Sequence, residues 1–262
     1  MRKVVCVRAR LFSEVWWVGL LRRASTSGYF IRLQDFWIFI VGAKTDAWVA
    51  RLRADVGDRT AFETIYHESE DPWCSNSPRY NYQRRKYHVL MSFLPADRRY
   101  QHALDLGCGL GTLSGLLADR SDKVLGLDVA QTAIDRAHKA HVASNVDFER
   151  MDILDLPGRL NGQFDLIMIV DTLYYLSSTS DELLRELAVR IADLLAAGGL
   201  CVLTNHFFFP WDKETRLSRR IHRAFVSSPR FHFISQHWRP FYLTTMLSLT
   251  APVGVRTPDV RL

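Results

Sequence analysis

The sequence predicts an α/β protein built on a doubly wound, mostly parallel seven-stranded sheet that finishes in a C-terminal antiparallel hairpin. Three observations carry this expectation. From residue 100 onward, short apolar runs alternate with helical patterns, as strand–helix–strand units do. A glycine-rich turn, Asp105-Leu106-Gly107-Cys108-Gly109-Leu110-Gly111, joins a predicted strand directly to a predicted helix. The last two strand-like runs are separated only by Arg239-Pro240, a connection that permits only an antiparallel pair.

In chain order, 102–106 reads as the first strand and 112–119 as an amphipathic helix. The run 123–128 is the second strand, and 130–141 is a helix with Ala133, Ile134 and Ala137 at helical spacing. A short third strand covers 146–149. Segment 164–170 (FDLIMIV) is almost wholly apolar, as a central strand covered on both faces should be. A helix over 181–195 opens at Ser180 as N-cap, with Asp181 and Glu182 in the first turn where the helix dipole favours negative charge. It is expected to end at Gly198-Gly199, which lead into a fifth strand over 200–205. The tail gives a helix over 216–225 and the hairpin strands 231–238 and 241–249.

With 262 residues, 48% hydrophobic and 24% charged, the chain has the composition of a globular protein with one main core. Its net charge of +6 is uneven: residues 1–60 hold 11 basic against 5 acidic side chains, whereas 61–262 hold 23 of each. A nucleic-acid partner is therefore not expected, because a phosphate-binding groove needs its positive charge near the site. Cys6, Cys74, Cys108 and Cys201 are far apart and form no CxxC pair, which argues against a metal site or disulfide framework and fits free thiols in the cytoplasm. The apolar runs 15–21 and 37–43 fall short of the roughly 20 residues that span a bilayer, so no integral membrane association is expected. The expected organisation is a basic, aromatic N-terminal extension over 1–60 and a catalytic domain over 61–262. Within the latter, 61–100 forms a lid, 101–206 the cofactor-binding core, and 207–262 a helix and hairpin. For the extension two readings stand, an amphipathic appendage or a start placed upstream of the native one. The oligomeric state is left open.

The glycine-rich turn lets the backbone bend sharply and lets a ligand approach main-chain atoms without a Cβ in the way. A dinucleotide fingerprint would need its third glycine three positions beyond Gly109, where Thr112 stands instead. Asp105 discriminates further. A carboxylate there repels a pyrophosphate but attracts the cationic end of S-adenosylmethionine, which carries an ammonium and a sulfonium and no phosphate. Asp128 ends the second strand and can accept both ribose hydroxyl hydrogens. Asp152, in Met151-Asp152-Ile153, can accept from the adenine amino group, with Met151 or Ile153 against the ring; as a plain turn-capping residue it would instead bond its own backbone.

On these residues the chain resembles the class I S-adenosylmethionine-dependent methyltransferases over about 60–250. DLGCGLG is similar to that family's first motif, GLDVA to its acidic second-strand end, MDILDL to its adenine loop and FDLIMIVDTLYYL to its fourth strand. The resemblance implies a cofactor site of Asp105, Leu106, Gly107, Gly109, Gly111, Asp128, Val129, Asp152, Ile153 and Val170, with no metal. More narrowly, Asp71-Pro72-Trp73, Arg84-Arg85-Lys86-Tyr87 leading to Leu94-Pro95, Leu173-Tyr174-Tyr175-Leu176 and Asn205-His206 resemble the NodS-type nodulation N-methyltransferases. Phe207 departs from a tryptophan there, and residues 1–60 have no counterpart. This resemblance implies methylation of the amino group of a deacetylated glucosamine at the end of a chitooligosaccharide. It also implies a lid in which Trp73 covers the cofactor and Arg84 pairs with its carboxylate.

On the acceptor side, His206 is the expected base or acceptor orienter, Tyr174 and Tyr175 can orient through their hydroxyls, and Asp171 can hold an acceptor ammonium. The aromatic stretch 207–211 with Trp238 suits stacking against a sugar and equally suits burial under the helix 216–225. The alternatives are a small-molecule or lipid O-methyltransferase and a non-catalytic subunit that keeps the fold.

Overall fold

The computed structural model describes residues 33–77, 81–141, 143–207, 211–239 and 241–249, with side chains from residue 40 onward. A long helix α1 (Leu33–Glu68) and a second, α2 (Tyr82–Phe93), precede the alternating body. That body runs β1 (Tyr100–Leu106), α3 (Thr112–Ala118), β2 (Ser121–Asp128), α4 (Gln131–Ala140), β3 (Val146–Arg150), β4 (Phe164–Val170), α5 (Asp181–Leu194), β5 (Leu195–His206), α6 (Lys213–Val226), β6 (Phe231–Arg239) and β7 (Tyr242–Leu249).

The seven strands lie in the order β3-β2-β1-β4-β5-β7-β6. Strands β3 to β5 pair in parallel, whereas β7 is antiparallel to both β5 and β6. This is the doubly wound sheet and terminal hairpin that the sequence predicts. The order reverses between β1 and β4, and such a switch point leaves a crevice at the carboxyl ends of the strands. Central β4 is buried along nearly its whole length and feeds two cores. Ile167 and Ile169 face a cluster with Leu104, Leu187 and Phe225; Leu166 and Met168 face another with Leu90, Tyr100 and Leu117. This alternation explains why the strand is apolar at every position.

Two expected boundaries move. The fifth strand begins at Leu195, directly after α5, and pairs Leu195 with Phe164. Gly198, at φ 73°, belongs to an irregularity within that strand, where the pairing shifts between Phe164 and Leu166, so the glycine pair does not form a turn before it. The boundary expected after residue 60 falls inside α1, which kinks at Gly57 (φ 78°) and continues to Glu68. From residue 40 the helix packs on the body: Thr45 donates to the Pro72 carbonyl and Asp58 accepts from the Ser177 N–H. Residues 1–32, with the run 15–21 and Cys6, lie outside the described residues. No helix among the described residues is long and apolar enough to cross a membrane.

Candidate active site

The crevice at the switch point is a cavity walled by the ends of β1, β2 and β4 and roofed by α1, α2 and the Asp71-Pro72-Trp73 loop. Its floor is the glycine-rich turn. Gly107 and Gly109 adopt φ of 78° and 53°, where a side chain is strained. Asp128 fixes the turn: its Oδ2 accepts from the Gly109 N–H and its Oδ1 from the Ala130 N–H, both at 3.0 Å. Burial raises the Asp128 carboxyl above its ordinary range, and the backbone N–H bonds partly offset this. Each oxygen still has acceptor capacity toward the cavity, as a vicinal diol would need.

Beside it, the Met151-Asp152-Ile153 loop lines the same cavity with two apolar side chains and a carboxylate. Asp152 Oδ1 accepts from the Leu154 N–H at 2.9 Å, so the residue caps its own turn as well as facing the cavity. At the end of β4, Asp171 stands at φ 55°, a conformation that aspartate tolerates better than most residues. Its Oδ2 is paired with the ammonium of buried Lys86. Its Oδ1 is buried with no hydrogen-bond partner among the described residues, and so is Gln83 Oε1 from α2. Two orphaned acceptors beside one cavity suit a ligand that brings N–H donors.

The roof is aromatic. Trp73 packs against Phe62, Tyr66 and Tyr175, with ring centroids 6.1, 5.6 and 5.7 Å apart. Its indole N–H donates to Asp46 Oδ1 at 3.2 Å, and the Tyr175 hydroxyl donates to the same oxygen at 2.6 Å. Farther along α1, Glu63 accepts from the backbone N–H groups of Gln131 and Thr132 at the start of α4. The lid helix is thereby tied to the helix that follows Asp128.

Of the residues expected at the cofactor, Trp73, Leu106, Gly107, Gly109, Asp128, Val129, Asp152, Ile153 and Val170 line the cavity. Tyr174 and Asp171, expected on the acceptor side, line it too. Four residues lie elsewhere. Gly111 (φ 76°) caps α3 beneath the turn. Asp105 is buried below the floor, where the Ser114 hydroxyl donates to it at 2.7 Å, and desolvation pushes its carboxyl up to about 7. Arg84 is exposed, together with His88 and Ser92, on the outer stripe of α2, because a spacing of four keeps residues on one face. The inner stripe presents Gln83 and Tyr87 to the cavity and buries Lys86. His206 sits at the end of β5 outside the lining, its Nε2 3.5 Å from Asp212 Oδ2. In the 207–211 stretch, Phe207 is buried against Trp238, Trp211 is exposed, and the residues between them lie outside the described ones.

Sequence reasoning missed Asp46, Phe62, Tyr66, Gln83, Lys86 and Tyr87. The apolar phase of α2, with Val89 and Leu90 inward, was the available signal: it turns Arg84 outward and Lys86 inward. Asp46 gave no such signal, because its role rests on polar bonds to Trp73 and to Tyr175, distant in sequence.

Asp105 makes a testable contribution to stability. Its folded value near 7 lies above the ordinary 3.8, so its contribution is fully present below about pH 4 and is lost as pH rises through 7. Chemical unfolding of the ligand-free chain should show a loss of about 2.5 kcal/mol from this group between pH 5 and pH 8. Asp105→Asn should flatten that slope, and an unchanged slope would show that the buried carboxyl does not titrate there.

Among the described residues the lining carries Asp58, Asp128, Asp152 and Asp171 but no lysine or arginine. Such a surface offers acceptors to hydroxyl, amino and ammonium groups, which S-adenosylmethionine carries. A family model described as Nodulation protein S (NodS) matches residues 64–205, more than half of the chain. The chain belongs to the NodS family. Within that family, the Nodulation protein S of Azorhizobium caulinodans is 26% identical over 132 residues, covering 50% of this chain and 61% of that protein. The one from Rhizobium tropici is 28% identical over 137 residues, covering 50% of this chain and 53% of that protein. The chain thus spans less than two thirds of the length of these NodS relatives. The crystal structure of the N-methyltransferase NodS from Bradyrhizobium japonicum WM9, in complex with S-adenosyl-L-homocysteine, superposes with a TM-score of 0.58 at 18% identity, covering 80% of this chain and 98% of that one. At that identity the likeness is one of fold, and the shared fold is the methyltransferase fold of the NodS family.

Proposed function

We propose that this chain is an S-adenosylmethionine-dependent N-methyltransferase whose acceptor is an amino sugar, such as the deacetylated glucosamine end of a chitooligosaccharide. The observation that carries the reading is the set of acceptor oxygens that Asp128, Asp171 and Gln83 turn to one cavity, found in a chain of the NodS family. Asp128 receives the ribose hydroxyls. Met151 and Ile153 enclose the adenine, with Asp152 at its edge. The free oxygens of Asp171 and Gln83 receive the ammonium of the amino-acid end. Methyl transfer is an in-line displacement in which the sulfonium supplies the methyl carbon and its own leaving group. The chain's part is positional: the Trp73, Phe62 and Tyr66 roof shuts out water, and Tyr174 holds the acceptor beside the end of β4. The attacking amine must be neutral, and its proton passes to solvent or to His206 at the end of β5.

A second reading has separate support. The chain is also 31% identical over 111 residues to a malonyl-acyl-carrier-protein O-methyltransferase of Acetivibrio thermocellus, covering 40% of this chain and 38% of that protein. An oxygen acceptor would use the same cofactor floor and differ only beyond Asp171. Calorimetric titration of the purified chain with S-adenosylhomocysteine, with NAD as control, tests the common part. Micromolar affinity for the first and none for the second is the expected result. Absence of binding by a folded sample would overturn both methyltransferase readings. Turnover of a deacetylated but not a fully acetylated chitooligosaccharide would then separate nitrogen from oxygen transfer.

A further inference from the structure

The carboxylates around the cavity differ in what already neutralises them. Asp171 is paired with buried Lys86, and Asp58 with Arg53. Asp152 has Arg59 at 3.8 Å, and Asp128 is held by backbone N–H groups. Asp212 faces His206 and caps α6 through the Glu214 N–H. Asp46 is different. Its Oδ1 accepts from the Tyr175 hydroxyl and the Trp73 indole, two neutral donors, and its Oδ2 has no partner among the described residues. No lysine or arginine forms a salt bridge with it among the described residues.

The groups that act on Asp46 electrostatically are His206 at the end of β5 and Asp171 at the end of β4. Asp46 lies just outside the lining, and both of its donors, Tyr175 and Trp73, belong to residues that line the cavity. The residue remains solvent-accessible, so an incoming group can reach it. Although the residue is exposed overall, burial of its carboxyl against the roof raises that group above the ordinary range, against the lowering by Tyr175, Trp73 and His206. A carboxylate fixed by two neutral hydrogen bonds, with one oxygen open and no cation, is built to receive an N–H⁺ donor.

We infer that Asp46, supplied by α1 outside the span that matches the NodS family, holds the acceptor's protonated amino group at the mouth of the cavity. Tyr175 and Trp73 aim its carboxylate, and Asp46 Oδ2 takes the hydrogen bond from the ammonium. Asp171, the residue expected from the sequence for this task, has its charge matched by Lys86 and serves the cofactor side. The inference deepens the amino-sugar reading and rests on it.

The test is the substitution Asp46→Asn, which keeps an acceptor for Tyr175 and Trp73 and removes the charge. Binding of a chitooligosaccharide deacetylated at its non-reducing end, and of its fully acetylated counterpart, is measured by calorimetry on protein saturated with S-adenosylhomocysteine. The parent chain should prefer the amine, and Asp46→Asn should weaken amine binding at least tenfold while leaving the acetylated glycan and S-adenosylhomocysteine affinities within twofold. Asp55→Asn, an exposed carboxylate on the same helix, should change none of these. If Asp46→Asn binds the amine as the parent does, the assignment of Asp46 is wrong and the amino-sugar reading survives. If the parent itself does not distinguish amine from acetamide, that reading fails and the assignment falls with it, while S-adenosylhomocysteine binding reports on the cofactor separately.

Discussion

Lys86→Met is expected to destabilise the folded chain by about 3 kcal/mol, because it strands the Asp171 carboxylate. The Lys86 side chain is 3% exposed and that of Asp171 is 20% exposed. The pair is thus largely cut off from water, and Asp171 Oδ1 already has no partner. Removing the ammonium leaves both oxygens unmatched at the end of β4, on a residue whose backbone is itself in the left-handed region. The partial exposure of Asp171 keeps the cost toward the lower end of the range for breaking a buried pair. For a domain of this size the loss corresponds to a fall of roughly 6–10 °C in Tm. The interaction should show in a double-mutant cycle. Asp171→Asn keeps a side chain that tolerates the same backbone conformation, and Lys86→Met with Asp171→Asn should recover at least 1 kcal/mol relative to Lys86→Met alone. Denaturant unfolding of the three variants measures this, and strictly additive losses would show that the ion pair adds nothing to stability.

That pair also marks the limit of what the sequence discloses. The parallel body was legible because burial writes itself into sequence as periodicity. FDLIMIV reads as a strand covered on both faces, and Ser180 reads as an N-cap, which its bond from the Leu183 N–H bears out. The glycine turn was legible because its conformation needs glycine. Lys86 stands within the NodS-like fragment Arg84-Arg85-Lys86-Tyr87 with nothing in its own residue type to mark it as buried, although the apolar residues Val89 and Leu90 fix its phase inward. The polar site residues on α1 left no periodic trace. Asp46, Asp58 and Glu63 reach Tyr175, Ser177 and Thr132, more than 60 positions away, through polar groups that look the same in sequence whether exposed or bonded. The fifth strand starts earlier than the sequence predicts for a related reason: Gly198-Gly199 resembles a helix stop, and only the pairing of Leu195 with Phe164 shows the strand running through it.

Gly107→Ala is the single substitution expected to harm cofactor binding most, by at least a hundredfold in the Kd for S-adenosylhomocysteine. At φ 78° any L-residue is strained by about 1–2 kcal/mol. The added methyl group would also stand 2.3 Å from Thr172 Oγ1 and 2.5 Å from its Cγ2, so Thr172 must move. Thr172 is not free to do so cheaply: its hydroxyl donates to the Leu106 carbonyl at 2.9 Å and lies 3.1 Å from the Val170 carbonyl, joining the ends of β1 and β4. Displacing it opens the seam on which Asp171 and the glycine turn both rest. Strain and overpacking together should cost the ligand-free fold about 3 kcal/mol. Adding Thr172→Ala removes both of the closest atoms and leaves only the Cβ, at 3.0 Å. The double variant should therefore regain part of the affinity while keeping the backbone strain. Recovery in the double variant would assign the defect to the Thr172 seam. An affinity for S-adenosylhomocysteine close to the parent's in Gly107→Ala alone would mean that the turn relaxes freely, and that its geometry does not govern the ligand.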